Sequence, residues 1–111
     1  MPNGIYEINF KSSLKDFGKG LVVIKDGSLN GGDLHLIYRG QFQSDNGQIH
    51  AQIIAEQRKP ADATVADIER LEVDFAGNLD ASTGNIFLAG AVTGRPNLLI
   101  TAIGKKLAAT A

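Results

Sequence analysis

The chain has no cysteine. That excludes disulfides, thiol nucleophiles and cysteine-bound metal, and it fits a reducing compartment. There is no charge excess: 12 acidic residues stand against 11 basic ones, for a net charge of −1. A nucleic-acid binder normally carries a basic stripe. Here the adjacent basic pairs are Arg58-Lys59 and Lys105-Lys106, both read as solvated ends of elements. The first residues, MPNGIYEINF, lack the basic start and apolar run of a signal peptide. No apolar stretch approaches the ~20 residues of a membrane helix. Internal repeats and low-complexity segments are also missing. The expectation is a cytoplasmic protein with neither a nucleic-acid nor a membrane partner.

What is present suits one domain over residues 1–111, of a length that can bury a real core. Thirteen glycines stand between strand-like runs, as many turns require. The stretch Lys25 to Gly40, KDGSLNGGDLHLIYRG, organises the rest. It holds two reversals, Asp26-Gly27 and Gly31-Gly32-Asp33, before the run Leu34 to Tyr38. Ile5 to Ser12 alternates, with Tyr6, Ile8 and Phe10 on one side. Phe17 to Lys25 follows, with Gly18 and Gly20 marking a bend, a bulge or close packing of another backbone. Its Leu21 to Ile24 run is apolar on both faces, as in a strand covered on both sides. Ser28 to Asn30 is a short strand, and Leu34 to Gln43 places Leu36, Tyr38 and Phe42 together. Asp45-Asn46-Gly47 signals a hairpin. Gln48 to Gln57 alternates, with Ile54 interrupting its polar side.

Pro60 to Ala63 opens a turn of helix around Ala61 to Val65. A strand from Ile68 to Ala76 comes next, with turns at Gly77-Asn78 and Ser82 to Asn85. Ile86 to Val92 and Leu98 to Ile103 are the last strands, joined through Gly94-Arg95-Pro96-Asn97. Gly104 to Ala111 reads as a frayed tail. About eight short strands joined by hairpins predict an all-β, up-and-down antiparallel barrel with at most one short helix.

Candidate chemistry is thin. Asp16-Phe17-Gly18 matches a kinase magnesium triplet without its context, and Gly18-Lys19-Gly20 lacks a third glycine and a following helix. His35 and His50 approach each other only if their strands pair across Asn46-Gly47. A metal would still need a third ligand such as Glu56 or Asp33; both histidines read as solvent-facing. Glu69, Glu72 and Asp74 read as a solvated face. No catalytic residue, metal ligand or cofactor-binding residue is expected, and the chain is not read as an enzyme. Tyr6, Phe10, Tyr38, Phe42, Phe75 and Phe87 either line a ligand cavity or form ordinary core.

Taken in order, Gly4-Ile5-Tyr6, Phe10 with Ser12, Gly18-x-Gly20, Lys25-Asp26-Gly27, Gly31-Gly32-Asp33 and Tyr38-x-Gly40 resemble one family. These residues are similar to those of the GrlR-type negative regulators of type III secretion, small cytoplasmic bacterial proteins. The match is dense over Gly4 to Gly40 and looser through Glu69 to Phe75 and Ile86 to Val92. The resemblance implies a lipocalin-like barrel, a homodimer and sequestration of a transcriptional activator. It implies an acidic contact loop between the fourth and fifth strands. The matching loop here, Gln43 to Gly47 with Ser44, Asp45, Asn46 and Gly47 as partner-loop candidates, carries one acid. The expected function is a non-enzymatic, dimeric protein-interaction module that regulates through a protein partner. The alternative is a barrel that binds a small hydrophobic ligand.

Overall fold

In a computed structural model, residues 3–13, 15–58 and 70–111 are described. Eight strands, β1 (Gly4–Ser12), β2 (Asp16–Lys25), β3 (Ser28–Gly32), β4 (Leu36–Asp45), β5 (Gln48–Gln57), β6 (Arg70–Leu79), β7 (Ile86–Val92) and β8 (Arg95–Ala108), follow one another. Each pairs antiparallel with the next, and β8 returns to β1, so the sheet closes. The expected up-and-down barrel is what the chain forms. Among the described residues there is no helix. The helix expected at Ala61 to Val65, and the strand start at Ile68, lie outside the described residues.

The alternation of side chains sets which face is core. Along β1, Tyr6, Ile8 and Phe10 are buried; along β5, Ile49, Ala51 and Ile53 are. Apart from the tyrosines Tyr6 and Tyr38, no side chain with a polar or charged group is buried among the described residues. The hairpin signals act as read. Asp26 and Gly27 have φ of 51° and 87°, and Asn46 and Gly47 have 52° and 80°. Two successive left-handed residues are the two-residue turn whose twist matches the flanking strands.

Several boundaries differ from expectation, each because of a distant strand. Gly31 and Gly32 are not a turn but the end of β3; the reversal lies at Asp33 to His35. A Cβ on Gly31 would sit 2.0 Å from the Leu21 carbonyl oxygen. The glycine is there for close approach of β2, not for a turn. Gly77-Asn78 likewise continues β6 to Leu79, and a Cβ on Gly77 would sit 1.8 Å from the Phe87 carbonyl oxygen. The last strand starts at Arg95, inside the expected connection, and its C-terminal part is not frayed. Gly104 to Ala108 pair with Ile8 to Ile5 and close the barrel. Gly18, at φ 84°, sits where the β1–β2 register shifts, the bulge its position implied.

Candidate functional site

Tyr6, Phe10, Tyr38, Phe42 and Phe75 all point inward and are at most 7% exposed. Phe10 is the hub: its ring centroid lies 4.8 Å from Tyr38 and 6.0 Å from Phe75, in tilted contacts. The space that Phe10, Tyr38 and Phe75 leave, bounded also by Phe17, Leu36 and Ile100 and not reached by Tyr6 or Phe42, is about 30 Å³. A small-molecule site needs ~300 Å³ or more. The interior is therefore packed core at this volume. Phe87, grouped by sequence with these rings, instead faces outward and is 49% exposed. It follows Ile86 and precedes Leu88, which occupy the inward positions of β7.

One end of the barrel is locked by Asp33. Its Oδ1 accepts the backbone N–H groups of His35 and Leu36, each at 2.7 Å, and its Oδ2 accepts the Tyr38 hydroxyl. Burial, and then the hydrogen bond and negative charge of Asp33, push the Tyr38 phenol far above its ordinary value. Burial also raises Tyr6. Arg58 donates to the carbonyl oxygens of Asp33 and Leu34, tying β5 to the same bend. Asp33 is thus a structural acceptor rather than a metal ligand.

His35 lies in this bend, not on a strand. His50 pairs opposite Gln43 while Leu36 pairs opposite Gln57, so the two imidazoles sit at opposite ends of the β4–β5 hairpin. His50 Nε2 instead meets Asp74 Oδ1 at 2.5 Å on the outer face. Nearby, Arg39 donates to Glu56 at 2.6 Å and Arg70 pairs with Glu72 at 2.9 Å. These pairs surround an open depression of about 540 Å³ over β4, β5 and β6, lined by Gln41, Gln52 and Ile54 among others. Arg39–Glu56 and His50–Asp74 join neighbouring strands, while Arg70–Glu72 lies along β6. Glu69 lies outside the described residues. Among the described residues no three His, Asp or Glu side chains are grouped to hold a metal.

Asp16 accepts from Asn9 Nδ2 and from the Gly18 N–H, which holds its carboxyl below the usual range. The triplet Asp16-Phe17-Gly18 therefore pins the β1–β2 bulge. Ser44 and Asp45 end β4, and Asn46-Gly47 forms the tight turn to β5. The candidate loop is no longer than the reversal requires.

The outer face carries what the pattern inside each strand left over. Leu21, Val23 and Ile37 are exposed, with Gly32 standing between Leu21 and Ile37 in register. Half-buried Ile54 lies opposite Arg39 on the next strand. On the other side, Phe87 pairs with Ile103 and Ala91 with Leu99, and all three large side chains are exposed. Sequence reading missed this second patch. Its signal is β7 itself, Ile-Phe-Leu-Ala-Gly-Ala-Val, with no polar side chain on either face.

No protein-family model and no curated protein matches this chain.

Proposed function

We propose that this chain is a non-enzymatic homodimeric module that regulates by binding a protein partner, in the manner of the negative regulators it resembles. One observation carries the reading. Among the described residues, the space beside Phe10, Tyr38 and Phe75 inside the barrel is about 30 Å³, while Leu21, Val23 and Ile37 stand exposed together on its surface. Binding chemistry is thereby displaced from the inside to the outside. This supports a protein-interaction barrel over the small-ligand barrel that was its alternative. Exposed apolar patches of this kind mark interfaces.

The dimer face is the β2–β3–β4 sector. Gly32 brings no side chain between Leu21 and Ile37, so a second sheet can approach closely there. Charged and amide groups on the outer face, such as Glu7, Lys19, Gln52 and Asp74, support a barrel surrounded by water, and we place it in the cytoplasm. The test is sedimentation of the wild type beside Val23→Ser/Ile37→Ser. A wild-type dimer that becomes a folded monomer in the variant is expected. A wild type that stays monomeric from micromolar to millimolar concentration overturns the dimer.

A further inference from the structure

The outer face of β7 and β8 has an unusual composition. Where the two strands pair, from Phe87 to Ala91 and from Leu99 to Ile103, the outward side chains are Phe87, Ala89, Ala91, Leu99, Thr101 and Ile103, of which Thr101 alone is polar; Asn97 and Lys105 bound this stretch on β8. A strand that is apolar on both faces belongs in a sheet covered on both faces. The inner face of β7 is covered by the core, yet Phe87 is 49% and Leu99 61% exposed.

The surroundings say what kind of element fits. Among the described residues every lysine lies on β1, β2, β8 or the β1–β2 turn, although the linear sequence shows no basic stripe. Three of them fringe the apolar face on its β1 side. Lys11 is opposite Thr101, Lys105 is two residues beyond Ile103, and Lys19 is opposite Asn9, which is itself opposite Ile103. Their acidic neighbours hold them loosely: Lys11 is 3.9 Å from Asp16 and Lys19 is 3.6 Å from Glu7. Such exposed pairs exchange readily for a new partner.

Backbone pairing is not available to a partner on this face, because β7 is paired along its length with β6 on one side and β8 on the other and offers no edge to extend. Recognition must run through side chains, and the alanine floor at Ala89 and Ala91 admits the close approach of a helix.

We infer that the β7–β8 face docks an amphipathic helix of another protein, with its apolar stripe on Phe87, Leu99 and Ile103 and acidic residues on the flank facing Lys11, Lys19 and Lys105. The inference rests on reading the chain as a protein-interaction module and names the chemistry of the partner. The acidic flank supplies steering and orientation, while the apolar stripe supplies the buried centre.

The probe is a labelled helical peptide of about five turns, with leucines at one-face spacing and glutamates along one flank, titrated into the full chain by fluorescence anisotropy. A second peptide replaces the glutamates with lysines. The acidic peptide is expected to bind about tenfold or more tightly than its basic twin. Lys11→Glu/Lys105→Glu should reverse that order. Phe87→Ser should abolish binding while leaving circular dichroism and sedimentation unchanged. Leu99→Ser, at an exposed position, carries the same expectation if Phe87→Ser does not fold. Equal binding of the two peptides, or none by about 1 mM, overturns the inference. If Phe87→Ser or Leu99→Ser instead turns a dimer into a monomer, the face belongs to a second copy: the inference falls, and dimerisation survives at a different face. Binding to anionic vesicles but to neither peptide would make the occupant a membrane and also overturns it.

Discussion

Asp33 shows how much one side chain can organise. Its carboxylate takes two backbone N–H groups and the Tyr38 hydroxyl, so the bend, the start of β4 and a core ring are held together. Tyr38→Phe leaves one carboxylate oxygen short of a donor and should cost about 1–3 kcal/mol in urea unfolding. The pH dependence follows from the direction of the phenol shift. The folded state binds the proton of Tyr38 more tightly than the unfolded chain, whose phenol titrates near 10. This contribution is therefore complete below about pH 10 and is lost as pH rises above it. Tyr6, raised by burial, acts in the same sense. An absorbance titration should show one of the two phenols, Tyr38, still un-ionised at pH 10 while the barrel is folded. Two full phenolate steps near pH 10 in folded protein would disprove the burial of the Tyr38 hydroxyl. At Gly31 the demand is steric. A Cβ 2.0 Å from a carbonyl oxygen cannot be accommodated without moving β2 from β3, and Gly31→Ala should lose about 2 kcal/mol or more in thermal unfolding.

At the scale of elements, the β4–β5 hairpin and the closing strand make separate demands. Asn46 sits at φ 52°, which asparagine tolerates and alanine does not. Asn46→Ala should cost about 1 kcal/mol, and Asn46→Gly should be neutral within error, both read from urea midpoints. The same tightness bears on partner choice. With one acid, Asp45, and a minimal turn, this hairpin is expected not to bind the activator sequestered by regulators with the acidic loop. Changing Ser44, Asn46 and Gly47 to acids should be needed to gain any such binding in a titration. Tight binding by the unmodified protein, insensitive to salt and to Asp45→Ala, would reverse that view. The closing strand is tested by truncation after Ile103, which strips Gly104 to Ala108 from β1. At a net ~1 kcal/mol per lost ladder bond, denaturation should show about 3–4 kcal/mol less stability. The unpaired edge of β1 should also make the shortened chain aggregate.

For the whole molecule, closure and filling decide what the barrel can do. Eight strands can enclose a ligand or fill with side chains, and here Phe10, Tyr38 and Phe75 fill the middle. A fatty acid or naphthalene-sulfonate dye should show no saturable binding to the interior in a fluorescence titration. Stoichiometric binding displaced by Phe75→Trp would place a cavity where the structure has core. Closure also divides the outer surface. Among the described residues the lysines collect around β8, β1 and β2, together with Arg95, while Arg39, Arg58 and Arg70 lie on or beside β4 to β6. The two apolar patches fall on different sectors, one for each proposed contact.

Local chemistry was legible in the residues alone. Alternation at Tyr6, Ile8 and Phe10 and at Ile49, Ala51 and Ile53 names the inner face, because a strand has a period of two. Asp26-Gly27 and Asn46-Gly47 announce their turns, because a left-handed φ is a demand within one residue. The count of strands, and with it the barrel, follows from these. Other features depend on who the neighbour is. Gly31 and Gly77 resemble turn glycines until the carbonyl groups of Leu21 and Phe87 stand against them. The tail reads as frayed until β1 is found beside it, and His35 reads as a strand residue until Asp33 bends the chain. Phe87 reads as core until Ile86 and Leu88 take the inward positions. The lysine fringe is invisible in a chain of nearly balanced charge, since Lys11, Lys19 and Lys105 become neighbours only when the last strand pairs with the first. Sequence determined the strands and turns through local geometry. The closed tertiary structure decided the packed interior and the exposed faces, because both depend on contacts between residues far apart in the chain.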